Sequence, residues 1–365
     1  MKKILLIIPS LRFWGWAEWV IVSLAKKLID RWFDITILTF YDFPWDEYEY
    51  SGKRLSLHEW WSFGFISRFL KLITRAWEIR KYIKNNSFST VISFMEDANF
   101  PLLLAKKIFY LNQKCIVAIR HSLDDYVGGM YERFIWILYP IADKIVVLTE
   151  YERYNLVNNF HILPEKIVII HNAIDIDQAI EKSKQPLPYT EDKFIFIAIG
   201  RLTWIKNHKL LIETYRKFHI KHPNTSLWIL GDGTLREELE WLRSGDESIV
   251  FFWNQWNIFP FLQKAQCFVL TSISEAFPNV ILQAMAMWLP IISTNTQWSR
   301  EILGKNDEFG IIVENNQSNN LSKAMDYIYN DVSIRKSFAS KSKKRVVDFS
   351  LDTVYAIWEN LLLSK

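Results

Sequence analysis

The chain has 365 residues, 50% of them hydrophobic and 23% charged, an ordinary composition for a soluble globular protein but longer than one core usually grows, so two domains are expected. Its formal net charge of +4 is too small to imply a nucleic-acid partner. Seven scattered histidines and two cysteines show no metal-ligand spacing, so neither a metal site nor a cofactor is expected.

From the N-terminus, Met1 to Pro9 has two lysines and then only five apolar residues, too few for the apolar segment of a signal peptide. No apolar run approaches the ~18 residues that would span a bilayer. Ile4 to Ile8 reads as an apolar strand, Ala17 to Arg31 as a helix through Val20, Leu24 and Leu28, and Ile35 to Phe40 as the next strand. Further strands are expected at Thr90 to Phe94, Ile116 to Ile119, Ile145 to Leu148 and Ile167 to Ile170. Continuous apolar strands separated by helices imply a parallel sheet covered on both faces, a doubly wound α/β domain. Its ligand crevice lies at the carboxyl ends of the strands, near Pro9 to Trp16, Glu96 to Asn99 and Arg120 to Asp125. Cys115 and Cys267 both fall in strand-like runs, as buried thiols of a reducing compartment do, so a cytoplasmic protein is expected.

Residues 62–86 differ in kind. Arg68, Lys71 and Arg75 share one helical face, while Ile66, Phe69, Leu70, Ile73 and Trp77 form the other. Two readings are open: a helix that binds an anionic membrane surface, peripheral on the inner face of the cytoplasmic membrane, or a core helix with a solvated basic face.

The first domain is expected to span residues 1–182. Residues 183–192, charged and carrying two prolines, read as a linker, and a second doubly wound domain follows over 193–348. Its strands are expected at Phe194 to Ile199, Leu227 to Leu230, Ile249 to Phe252, Cys267 to Leu270, Pro290 to Ser293 and Ile311 to Val313. A central cleft between the two Rossmann-like domains is expected, with the last helix, in 349–365, packing back toward the first domain.

The chemistry concentrates in the second half. A strand delivers Gly200 and Arg201 to a turn, with Lys206 five residues on, just before a helix beginning near Asn207. Arg and Lys there form a clamp for a diphosphate, the guanidinium binding bidentately and the ammonium as a point charge. Gly231-Asp232-Gly233 ends another strand, where glycine lets backbone approach a ligand. From Leu270 to Ser293 a strand leads to a loop with Glu275, then to a helix opened by Pro278 and Asn279. First-turn N–H groups attract phosphate and the carboxylate accepts from hydroxyls, which suits a nucleotide sugar. In the first half, Gly15 lies in the loop after the first strand and His121 ends a strand in AIRHS.

GRLTWIKNH, the GDG turn and SEAFPNVILQAMAMWLPII resemble retaining glycosyltransferases of family 4, which have the two-domain GT-B fold. The resemblance runs along nearly the whole chain and is strongest from Gly200 to Ser293. It implies hexosyl transfer from a nucleotide sugar, most commonly of UDP, to a saccharide or polyprenyl-diphosphate-linked acceptor in surface-glycan synthesis, without a metal. It implies that Arg201 and Lys206 hold the leaving diphosphate and that Glu275 contacts the donor sugar. Backbone at Gly15, Phe277, Pro278 and Asn279 would meet phosphate and hydroxyls, and His121 would lie near the transferred sugar and acceptor. Gln283 replaces the second acid of the family's E-x7-E motif, which implies weaker grip on the ribose. A nucleotide-sugar epimerase of the same fold and a catalytically impaired scaffold protein are the alternatives. Glu96 and Asp97 read as solvated loop acids.

Glycine is scarce at 11 residues and tryptophan abundant at 17. Trp32 and Trp288 fall where a helix-ending glycine belongs, and Trp16 falls in the predicted phosphate loop. Together with Trp253 and Trp298 they raise the hypothesis that a UGA codon is read as glycine in the organism and as tryptophan in this translation.

Overall fold

The computed structural model describes residues 2–12, 16–43, 48–50, 52–59, 65–126, 129–187, 189, 191–275, 277–305 and 307–364. The chain divides into two compact units, Met1–Asn172 with Tyr355–Lys365, and Ala173–Val354.

In the first unit, strands β1 (Lys3–Ile8), β2 (Asp34–Thr39), β3 (Lys53–Ser56), β4 (Thr90–Phe94), β5 (Lys114–Ala118), β6 (Lys144–Val147) and β7 (Ile167–Ile169) form one sheet. Its order is β3-β2-β1-β4-β5-β6-β7, and each neighbouring pair is parallel. Ile4 through Ile8 are fully buried, which requires cover on both faces of the sheet and explains the unbroken apolar run. Strand β3 was not predicted. Its KRLS is an edge strand held through Asp42, which accepts from Arg54 at 2.8 Å and from Ser56 at 2.6 Å.

The helix Phe65–Asn86 forms where expected but buries a different face. Ala76, Ile79 and Ile83 enter the core, and Arg75, predicted on the open basic face, is 6% exposed. Its guanidinium pairs with Glu59 at 2.8 Å, donates to Tyr41 and lies 4.3 Å over the Phe40 ring. Leu70, Ile73 and Trp77, read as the apolar face of either a membrane-binding or a core-packed helix, remain exposed. The side chains of Ile66, Arg68 and Phe69 lie outside the described residues.

The second unit holds β8 (Phe194–Ile199), β9 (Thr225–Leu230), β10 (Ile249–Phe252), β11 (Cys267–Leu270), β12 (Ile291–Thr294) and β13 (Ile311–Val313), in the parallel order β10-β9-β8-β11-β12-β13. Both units are doubly wound α/β folds. The unit boundary at Asn172 and Ala173 precedes the expected 183–192 linker. Asp175 caps the intervening helix Ile176–Ser183 by accepting from the Gln178 N–H at 2.9 Å, and Asn257 donates to the Lys182 carbonyl at 2.7 Å. The Asn257 bond, with a second from the same amide to Gln185 Oε1 at 2.8 Å, ties the end of the helix to the second unit, in which the polar stretch after it also falls.

The final helix, Leu351–Leu363, begins in the second unit and ends in the first. There Trp358 is fully buried, and Lys114 donates to the Leu361 and Ser364 carbonyls at 2.9 and 2.7 Å. Among the described residues no helix is long and apolar enough to cross a membrane.

Candidate active site

In the second unit the candidate residues gather at the carboxyl ends of β8, β9 and β11. The chain leaves β8 through Gly200 and the exposed Arg201, turns in a short 3-10 helix, Trp204–Lys206, and enters the helix His208–Lys221. The Lys206 Nζ reaches the loop after β11, standing 2.5 Å from Glu275 Oε1. The side chains are 15% and 8% exposed, so the pair is largely shielded from water. Ser272 Oγ donates to the same oxygen at 2.6 Å.

Main-chain bonds fix the two loops against each other. The Ile273 N–H donates to the Ile205 carbonyl at 2.8 Å, and Thr271 Oγ1 donates to the Lys206 and Asn207 carbonyls, each at 3.1 Å. Lys206 is therefore presented by a braced turn rather than by a free loop. Next to it His208 is 4% exposed, and burial, with Lys206 nearby, pulls its imidazole down to about 4, so the ring packs neutral under the turn.

Gly231 and Gly233 serve this brace. Gly231 adopts φ +142, and a Cβ there would stand 2.0 Å from the Gly200 carbonyl oxygen; at Gly233 it would stand 2.5 Å from the Leu202 oxygen. The glycines thus permit close approach of the β9 loop to the β8 loop, whereas the sequence reading put a ligand there. At Gly200 the added atom would only touch the Lys206 stem at 3.6 Å.

The helix Asn279–Ala286 follows Pro278 with no side-chain cap. Phe277 is 5% exposed and its ring packs toward Phe349. Gln283 is half-buried on the second turn.

In the first unit, His121 sits after β5 with Nε2 2.8 Å from Glu96 Oε2. Glu96, read from sequence as a solvated acid, is 2% exposed and accepts from the Tyr139 hydroxyl at 2.9 Å. Its place at the first turn of Glu96–Phe109, straight after a fully buried strand, was the available signal. Glu152 is 1% exposed, and burial pushes its carboxyl up to about 7. Arg120 bonds to Asn172 Oδ1 at 3.1 Å, its guanidinium 5.2 Å over Phe94 and 5.7 Å over Trp358, and burial draws it down to about 10. Gly15 lies outside the described residues.

Tandem doubly wound units of this kind are the architecture of GT-B glycosyltransferases. An Anabaena protein, HepE, solved in complex with UDP, matches with a TM-score of 0.80 over 99% of both chains at 17% identity, which shows the same fold. The family described as Glycosyltransferase Family 4 matches residues 15–178, and Glycosyl transferases group 1 matches residues 179–345. An uncharacterized glycosyltransferase of Methanocaldococcus jannaschii is 31% identical over 79% of this chain and 74% of its own length. An N-acetylgalactosamine-N,N'-diacetylbacillosaminyl-diphospho-undecaprenol 4-alpha-N-acetylgalactosaminyltransferase of Campylobacter jejuni is 29% identical over 78% of this chain and 79% of its own. The chain belongs to glycosyltransferase family 4, and it is an enzyme of the glycosyl-transferring class.

Proposed function

We propose that the protein moves a hexose or N-acetylhexosamine from a UDP-sugar to a polyprenyl-diphosphate-linked or saccharide acceptor in surface-glycan assembly, retaining anomeric configuration and needing no metal. The observation that carries this reading is the Lys206–Glu275 pair, a shielded cation and carboxylate joined across two strand-end loops. A donor diphosphate competes with Glu275 for Lys206 and is met on the same turn by the exposed Arg201. Once Lys206 is taken, Glu275 accepts from a sugar hydroxyl. One exchange of partners thus prepares both halves of the donor site.

Positive charge fixed where the diphosphate leaves stabilises the developing anion. The proposed route is same-face attack assisted by the departing phosphate. Main-chain groups at Phe277, Pro278 and Asn279 complete the seat, Gln283 takes the ribose, Gly15 meets the diphosphate, and His121 lies near the sugar and acceptor. That the Campylobacter relative acts on a diphospho-undecaprenol substrate supports the acceptor class, and the UDP bound by HepE supports the donor base.

We place a peripheral membrane contact on the exposed Leu70, Ile73 and Trp77, with Lys81, Lys84 and Lys107 exposed nearby. Incubation with a panel of nucleotide sugars, with and without a polyprenyl-linked acceptor, tests the function. Transfer or slow hydrolysis, lost on Arg201→Ala, is the expected result. Donor epimerisation without transfer, or tight binding without turnover, would refute it.

A further inference from the structure

Glu96 is built into the first unit with unusual care for an acid. Its Oε1 accepts from Tyr139, whose hydroxyl accepts from Asn99 Nδ2 at 3.2 Å, while Asn99 Oδ1 accepts from Ser93 at 2.7 Å. All four side chains are buried. The residue before it, Met95, adopts φ 72 and ψ 152, a region that side-chain-bearing residues rarely enter, and does so at the turn that delivers the carboxylate. Glu96 Oε2 then meets His121 Nε2 at 2.8 Å. Both atoms are shielded from water and the approach lies off the ring N–H axis, so the carboxylate stands against the imidazole without a linear hydrogen bond.

A water-shielded carboxylate held in place beside an imidazole favours the charged ring. Glu152, when ionised, acts in the same direction, while the guanidinium of neighbouring Arg120 is turned to Asn172, Phe94 and Trp358. Asp124, which accepts from Tyr151 at 2.8 Å and from Asn155 at 3.1 Å, adds to the upward push on the Glu152 carboxyl.

We propose that Glu96 is a positioning residue for His121, fixing the imidazole and holding it as imidazolium at neutral pH, so that His121 meets its ligand as a charged donor and not as a base. This rests on the reading of His121 as a group near the sugar and acceptor. The test uses the full chain with ring-labelled histidine, following the His121 titration by NMR and assigning it by its loss in His121→Asn. The wild-type midpoint is expected above the ~6.5 of an unperturbed histidine. Glu96→Gln should lower it by about one pH unit or more, a tenfold change in the protonation equilibrium. Tyr139→Phe, which keeps the charge and loosens its orientation, should move it the same way by less.

In the kcat/KM profile the imidazolium is the active form, so activity is present below the His121 midpoint and lost as pH rises through it; Glu96→Gln moves that limb to lower pH. A wild-type midpoint below 6.5, or one unmoved in folded Glu96→Gln, overturns the proposal. If Glu96→Gln does not fold, Tyr139→Phe decides on the same readout. The titration needs no turnover: a normal shift in a protein that transfers no sugar counts against the transferase reading alone.

Trp32 and Trp288 carry a second, independent inference. Each follows a helix, with φ 68 and 58. The Phe33 N–H donates to the Leu28 carbonyl and the Leu289 N–H to the Ala284 carbonyl, both at 3.1 Å, closing the helix end that glycine normally makes. Left-handed backbone is unfavourable for a bulky residue, and Trp32, 82% exposed, gains no packing in return. With 17 tryptophans to 11 glycines in the chain, we infer that both positions are glycine in the organism's own protein, through UGA read as glycine. Trp253, under Arg236 at 3.5 Å, and Trp298, 2% exposed, sit in ordinary surroundings, and the inference does not extend to them. UGA codons and glycine-bearing peptides in mass spectra of the native protein are expected at 32 and 288. UGG codons, or tryptophan in those peptides, overturn it.

Discussion

Lys206 Nζ lies 2.5 Å from Glu275 Oε1, joining the turn after β8 to the loop after β11. Because Ser272 donates to the same oxygen, removing Lys206 leaves the carboxylate with a neutral partner and no cation. Lys206→Ala is expected to reduce kcat for transfer by about 100-fold or more, the scale of losing one charge-stabilising group at a leaving anion. Lys206→Arg should recover part of it. Steady-state donor consumption measures both, and an Ala variant within about threefold of wild type would remove Lys206 from the chemistry.

Gln283 offers one carbonyl acceptor where a carboxylate offers two oxygens. Gln283→Glu is expected to lower the donor KM by about tenfold, the worth of one hydrogen bond to a charged acceptor. A KM unchanged or raised would separate this position from the ribose.

Glu152 predicts a pH-dependent stability. Its folded carboxyl is pushed up to about 7 from 4.5, so the folded state keeps a proton that the unfolded chain loses. Between those values stability falls as pH rises, by at most about 3 kcal/mol from this group. Glu152→Gln, which keeps an acceptor for the Leu123 N–H, removes that dependence. Denaturant unfolding at pH 5 and pH 8 should therefore show the variant gaining on wild type at the higher pH. A constant difference at both would contradict the assignment.

Trp77, half exposed with its ring 5.6 Å from Phe109 and Arg80 5.0 Å above it, is the largest side chain of the proposed membrane face. Trp77→Ser is expected to weaken co-sedimentation with anionic vesicles by about tenfold, the scale of withdrawing one large apolar side chain from an interface. Arg75→Gln should instead destabilise the fold, because it strips a buried partner from Glu59. Equal vesicle binding by wild type and Trp77→Ser would move the contact elsewhere.

The two sheets were legible in the sequence because a parallel strand covered on both faces must be apolar throughout, as Ile4 to Ile8 and Phe194 to Ile199 are. Strand β3 was not, since an edge strand is free to read KRLS. Arg75 and Glu96 were misread for one reason: a buried charge is betrayed by its partner, and Glu59 and Tyr139 lie 16 and 43 residues away. The Gly231 and Gly233 turn was visible, but its reason, a second loop packed against it, was not. The polar stretch after Ser183 looked like a linker because surface loops and linkers share a composition; it falls inside the second unit, where Asn257 bonds to Lys182 and Gln185.

In the proposed function a braced Lys206–Glu275 pair gives up its partners to a nucleotide sugar and drives sugar transfer. Mass spectrometry of a polyprenyl-diphosphate-linked acceptor after incubation with UDP-hexoses and UDP-N-acetylhexosamines tests it most directly. The acceptor is predicted to gain one sugar residue with wild type and none with Lys206→Ala; an acceptor unchanged by the wild-type enzyme with every donor, or extended equally by both proteins, would contradict it.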